Sequence, residues 1–171
     1  MRRMTIALVS LAAMVFAAPM GWAQPHDDKE RAELAQALKD AKISLQQGVT
    51  ASAKEGKPIS AKYEVEDGKL QLSVYTMKGD KFSEVIVDHK TGKVAKAEPI
   101  TKADDLTAAK AQSEAMAKAK RSLATAASEA VKENKGSRAV SVMPSLKDGH
   151  PVAEVELVKG TEWKAVSEKL D

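Results

Sequence analysis

The chain has no cysteine, which excludes disulfide scaffolding, thiol catalysis, zinc fingers and iron–sulfur ligation together. Aromatic residues are scarce, at 4% of 171 positions, so any core must be built from Ala, Val, Leu and Ile. Neither charge sign dominates. Against 24 acidic residues stand 27 basic ones, an excess too small and too dispersed for a nucleic-acid surface. Lys118, Lys120 and Arg121, the densest basic stretch, are expected on a helix exterior with no stacking aromatic nearby. There is no phosphate loop, no dinucleotide fingerprint and no Gly-x-Ser-x-Gly elbow. The one long apolar run, Thr5 to Ala18, is shorter than the roughly 18–20 residues that span a bilayer, and Pro19 follows it.

That run has a different reading. Arg2 and Arg3 precede it, and Gly21-Trp22-Ala23 follows with small residues at both positions a signal peptidase requires. A charged, apolar and small-residue succession is a secretory signal peptide. Residues 1–23 are therefore expected to be removed after Ala23, giving a periplasmic or secreted protein with no stable membrane anchor. N-terminal sequencing of the exported protein should return Gln24. A membrane-embedded product that retains Met1 would refute this. Four aromatics then remain: Tyr63, Tyr75, Phe82 and Trp163.

The remainder reads as helix then strands, twice. Lys54-Glu55-Gly56-Lys57 matches Lys132-Glu133-Asn134-Lys135 at an offset of 78 residues. Asp67-Gly68 matches Asp148-Gly149, and Lys78-Gly79 matches Lys159-Gly160, both at an offset of 81. The change of offset implies a three-residue insertion in the second copy's first hairpin. In the first copy, Leu34, Leu38, Ala41, Leu45, Val49 and Ser52 recur at steps of three and four, one face of a helix. Asp27 and Glu30 have capping-box spacing at its start, Gly56 is expected to end it in a left-handed conformation, and Pro58 bars its continuation. In the second copy the stripe is Met116, Ala119, Leu123, Ala126 and Ala130, in a helix starting at Asp104 or Asp105 and ending near Gly136.

Between the turns, apolar residues alternate with period two. Ile59, Ala61, Tyr63 and Val65 form one such set, Leu70, Leu72 and Val74 the next, and Phe82 to Val87 a third strand. The second copy places strands near Ala139–Met143, Val152–Val158 and Trp163–Ser167. The expected fold class is α+β: two tandem repeats, each a long helix packed on a three-stranded antiparallel meander. The divisions are a signal peptide at 1–23, a first unit at 24–92, a linker at 93–103 and a second unit at 104–171. Units of this size are marginal alone, so the two copies should lean on each other. Phe82 and Trp163 open the third strand of each copy and are expected to cover the end of its core.

Within this plan one segment is informative. Glu84-Val85-Ile86-Val87-Asp88-His89-Lys90-Thr91-Gly92-Lys93-Val94 resembles the closing strand and turn of a PepSY domain: an alternating strand, Val-Asp, variable residues, Thr-Gly, one variable residue and an aliphatic. Asp88 can accept backbone N–H groups across the turn, and Gly92 supplies positive φ. Gly149-His150-Pro151-Val152-Ala153-Glu154-Val155-Glu156-Leu157 resembles the family's middle strand, but the second copy lacks the Asp-x-x-Thr-Gly turn. The resemblance implies an exported module that binds or inhibits a peptidase or another exported protein. A structural or envelope-stress protein with no dedicated ligand is the alternative.

No catalytic, cofactor-binding or metal-binding residues are assigned. Gln24-Pro25-His26 would begin like an amino-terminal copper site, but Pro25 has no amide hydrogen to lose. His26, Asp27 and Asp28 read as a solvated helix start, and His89 and His150 as surface turn residues. Met77, Met116 and Met143 are too widely spaced for copper(I) and read as core filling. Glu154 and Glu156 share the polar face of one strand. The chain is expected not to be an enzyme. An open sheet face carrying Gln71, Ser73, Tyr75 and Met77, together with an edge strand, is the surface expected to take a ligand, unless Tyr75 and Met77 pack between the copies.

Overall fold

The computed structural model describes residues 28–171; residues 1–23, expected to be a signal peptide, and His26 and Asp27 lie outside the described residues. Four α-helices and seven strands follow in the order α1 (Asp28–Ala37), α2 (Leu45–Ser52), β1 (Lys57–Glu66), β2 (Lys69–Lys78), β3 (Lys81–Val87), β4 (Val94–Pro99), α3 (Ala103–Lys118), α4 (Leu123–Glu133), β5 (Arg138–Lys147), β6 (His150–Lys159) and β7 (Glu162–Lys169). All strands belong to one antiparallel sheet of order β4-β3-β2-β1-β5-β6-β7. The class is α+β.

Most of each helical stripe is buried: Leu34, Leu38, Leu45, Val49 and Ser52 in the first half, and Met116, Leu123, Ala126 and Ala130 in the second, while Ala41 and Ala119 are half-buried. The apolar ones join the strand residues in a single core cluster that runs through both halves. The Asp-Gly hairpins form as expected, with positive φ at Asp67 and Gly68 and at Asp148 and Gly149.

Four expectations are corrected. First, neither half has one long helix. After α1 a 3-10 turn, Leu38–Asp40, gives way to extended backbone at Ala41, and Ser44 restarts the helix. Ser44 Oγ accepts from the Gln47 N–H while Gln47 Oε1 accepts from the Ser44 N–H, at 3.2 and 2.8 Å, a complete capping box. Ser122 caps α4 in the same way, its Oγ accepting from the Thr125 N–H. Second, segment 93–103 is more than a linker. It carries β4, which pairs with β3 from Val94 opposite Val87 to Pro99 opposite Ser83. Third, Gly56 does not take a left-handed conformation. It permits close packing instead, since a Cβ there would stand 2.8 Å from the Met77 carbonyl oxygen. Fourth, the three extra residues are not in the first hairpin. β1 and β5 have equal length, and their pairing slips at Pro58/Ser60 and at Ala139/Ser141, positions 81 apart. The insertion lies in α4, which is three residues longer than α2.

Both faces of the sheet are covered. Ala61, Val74, Val85, Val142 and Val155 stand opposite one another across the strands and share one face. Leu72 belongs to that face and lies against Gly48 of α2, while α4 packs beside α2. Ser60, Tyr75 and Glu84 point the other way, in register with one another. Gln112 of α3 lies on this second face, its Oε1 accepting from Ser60 Oγ at 2.7 Å and its Nε2 lying 3.8 Å from Met143 Sδ. From α1, Arg31 reaches the same face, where it meets Glu156 at 3.3 Å.

The matched aromatics differ in depth. Phe82 is 8% exposed, and the chain leaving β4 runs on beside it, with the Ile100 N–H donating to the Phe82 carbonyl at 3.0 Å. Trp163 is only half-buried, with the Arg31 guanidinium 5.5 Å above its ring. Phe82→Ala should therefore cost about 3–4 kcal/mol, in the range for a buried ring. Trp163→Ala should cost about 1–2 kcal/mol, because much less of its area leaves water on folding. Urea midpoints of the two variants would rank them. Equal losses would restore the equal core roles that the sequence implies.

Candidate functional site

The surface expected to be open is closed. Ser73 and Tyr75 are buried, and Gln71 and Met77 are half-buried. Beneath the helices these residues form a polar layer. Ser73 Oγ donates to Glu64 Oε1 at 2.8 Å, Gln71 Nε2 lies 3.1 Å from Ser73 Oγ, and Tyr75 Oη donates to Glu84 Oε1 at 3.1 Å. Burial, and after it the Glu84 and Glu64 carboxylates, push the Tyr75 phenol far above its ordinary value. It stays neutral and serves as a donor. Tyr75 is therefore buried, with its hydroxyl satisfied by Glu84 of the same half, and is not presented to a ligand.

The turn after β3 shows why its residue types are needed. Asp88 Oδ1 accepts from the Lys90 N–H, the Thr91 N–H and Thr91 Oγ1 at 2.9, 2.7 and 3.0 Å, and Gly92 has φ of 74°. The turn aims the His89 carbonyl at the gap between α1 and α2, where it accepts the Lys42 and Ile43 N–H groups at 2.9 and 3.2 Å. These donors have no intrahelical partner, because the helix is broken there. In the second half the Leu170 carbonyl accepts the Lys120 and Arg121 N–H groups at 2.7 and 3.0 Å. Lys120 and Arg121 therefore sit in a helix break and not on a helix exterior, and Arg121 also donates to the Lys169 carbonyl.

The Asp88 carboxyl is held below its ordinary range, chiefly by the Thr91 N–H and then by Lys90. Its contribution to stability is therefore fully present above the unfolded-state pKa and is lost as pH falls through the lower folded value. Asp88→Asn cannot ionise. The gap in urea midpoint between wild type and this variant should be present at pH 7 and close as pH falls below the ordinary carboxylate range. A gap that does not narrow on acidification would mean the charge is irrelevant.

Arg138 is the strongest connection missed in the sequence. Its guanidinium donates to the carbonyls of Leu38, Ala41 and Ile43 at 2.7, 3.0 and 2.9 Å, closing the end of the first half's helix from the second half's first strand. Tyr63 Oη donates to the same Ile43 carbonyl at 2.9 Å, and burial raises its phenol to about 12. Lys57, 81 positions before Arg138, donates to the Met116 carbonyl at 2.8 Å. Basic residues at the start of both first strands were the available signal.

The histidines are not brought together: His150 is exposed and meets Asp171 at 3.1 Å, while His89 lies in the turn after β3. Glu156 pairs with Arg31 and Glu154 is exposed. Among the described residues, no group of three His, Cys, Asp or Glu side chains could hold a metal ion, and no helix is long and apolar enough to cross a membrane.

An open groove of about 560 Å³ lies between α2 and α4. Gln46, Gln47, Thr50 and Ala51 line one wall, and Ala124, Thr125, Ser128 and Glu129 the other. Each residue of the first wall lies 78 positions before one of the second. Gln46 Nε2 donates to the Ala127 carbonyl of α4 at 3.1 Å.

No protein-family profile matches the chain. No curated protein matches it either. Among solved structures, it is similar to one described as a "putative lipoprotein" from Clostridium difficile 630, at 14% sequence identity and a TM-score of 0.42, over 77% of this chain and 89% of that one.

Proposed function

We propose that the chain is an exported, non-enzymatic binding module built from two PepSY-like units, and that its ligand is a protein or peptide, first among the candidates a peptidase. Support for the two units comes from the centre of the sheet. Ala61 of β1 pairs with Val142 of β5, the residue 81 positions later, so a position meets its own counterpart across an approximate two-fold axis. The helix breaks, the Lys57 and Arg138 contacts and the slips of register repeat about the same axis. Support for export comes from the three-part pattern of residues 1–23.

The observation that carries the binding reading is the groove between α2 and α4. It is open, lies on the two-fold axis and is lined by short uncharged side chains and two amides, with one carboxylate at its rim. Such a surface accommodates an apolar or mixed polypeptide segment at little desolvation cost. The immobilised mature chain should retain a peptidase from the native envelope fraction. Thr50→Arg with Ser128→Arg, at exposed positions of the two walls, should fill the groove and abolish retention with little change in the urea midpoint. If the wild type retains no peptidase, or the double variant retains it equally well, the reading fails and a structural role without a dedicated ligand takes its place.

A further inference from the structure

The two edges of the sheet are unlike. β4 is short, carries a slip in its pairing with β3 between Ile86 and Val87, and ends in Pro99, with Lys96 and Glu98 paired to each other at 2.8 Å. These are devices that blunt an edge. β7 has no slip and no proline, although it is charged at Glu162, Lys164, Glu168 and Lys169 and Arg121 donates to the carbonyl of its last residue, Lys169. It runs eight residues in unbroken register with β6, from Lys169 opposite Val152 to Glu162 opposite Lys159, and contains no proline. It is also the counterpart of β3, 81 positions on, and β3 carries an antiparallel strand on its outer edge.

We infer that the outer edge of β7 docks a second copy of the same chain, the two β7 strands pairing antiparallel about Val166 so that two sheets become one. The strand's own charges select this occupant and this register. A two-fold axis normal to a continuous sheet pairs only residues on the same face. Centring on Ala165 would set Glu162 opposite Glu168, a like-charge pair, and centring on Ser167 brings no opposite charges together. Centring on Val166 sets Lys164 opposite Glu168 twice, Ala165 opposite Ser167, and Val166 against itself. Opposite charges directly across an antiparallel pair stabilise it, and like charges oppose it. Lys164 already donates to Asn134 Oδ1 at 2.6 Å, and an ammonium has three donors, so that contact and the new one are compatible. The half-buried Trp163 comes opposite Lys169 of the other copy, where a cation can lie over its ring. The chain already contains a junction of this kind, since β1 meets β5 antiparallel about an approximate two-fold axis. The surface is separate from the α2/α4 groove, so this inference and the binding reading stand or fall independently.

Sedimentation equilibrium of the mature chain over micromolar to submillimolar concentrations should show a monomer–dimer equilibrium. Lys164→Glu and Glu168→Lys should each raise the dimer Kd by at least about tenfold, because each sets like charges together at both crossing points. Mixed in equal amounts, the two variants should recover a dimer, because the mixture places opposite charges at both points. Unchanged urea midpoints would show that both variants fold. A monomer throughout the range overturns the inference, as does a dimer indifferent to both reversals or a mixture no tighter than its components. A monomer that instead adds an extended peptide at β7 also overturns it, in favour of a different chain as occupant.

Discussion

Residues 24–100 expressed alone should give no cooperative urea transition as a monomer, whereas the full mature chain should unfold in one. Cutting there removes β5, the partner of β1, and α4, the partner of α2. It also removes α3, whose Gln112 accepts the buried Ser60 hydroxyl. Ala61 and Tyr63, both fully buried, would lie on the newly exposed edge strand. The three carbonyls that Arg138 closes would lose their donor. Burying one large aliphatic or aromatic side chain is worth about 1.5–3 kcal/mol, and whole domains are stable by only about 5–15 kcal/mol. A few such losses exhaust the margin. Equal midpoints for the fragment and the full chain would mean that the halves are independent, and the shared core would then contribute nothing to stability.

Arg138→Ala should lower stability by about 3 kcal/mol, the scale of hydrogen bonds to a charged donor whose partly buried acceptors are left unpaired. The acceptors are carbonyls at and beyond the end of the first helix, where the chain's dipoles leave negative charge unneutralised. Arg138→Lys should recover less than half of the loss, because one ammonium cannot reproduce a planar fork spanning three carbonyls. Tyr63→Phe provides a scale, since it removes one neutral hydrogen bond to Ile43 and should cost about 1 kcal/mol. If Arg138→Ala moves the urea midpoint no more than Tyr63→Phe, the guanidinium is not what holds the helix break.

Much of the local structure is legible without coordinates, for identifiable reasons. Leu34, Leu45, Val49 and Leu123 announce their burial through spacing alone, because a helix face repeats every three or four residues whatever it packs against. The Asp-Gly hairpins and the Asp88 turn are equally local, since positive φ and side-chain capping depend on neighbours in the chain. The helix breaks were locally encoded too. Ser44 and Gln47 have capping-box spacing within a continuous apolar stripe, and the stripe concealed them, because it keeps its phase across the break.

The candidate ligand surface was much less legible. Alternation in β2 separates Leu72 and Val74 from Ser73 and Tyr75, but a polar alternate face reads the same whether it meets water or a second layer of helices. Here α3 and α1 cover it, and Ser73 and Tyr75 satisfy their polar groups on Glu64 and Glu84 instead of on water or a ligand. The groove between α2 and α4 requires two helices 78 positions apart in sequence to lie side by side, which no local pattern specifies.

The amino-acid sequence by itself determined the α+β class, most strands and hairpins, the residues that enter the core and the absence of cysteine chemistry. These follow from periodicity, turn stereochemistry and composition, which act over a few residues. Only the tertiary structure decided that β1 and β5 join the halves into one sheet, that helices cover both of its faces, that residues 94–99 complete one edge, and that β7 is the other. Those outcomes turn on which buried surfaces and unpaired carbonyls meet across about a hundred residues of chain, as Arg138 and Leu38 do. Such a meeting is settled by packing and hydrogen-bond satisfaction over the whole molecule.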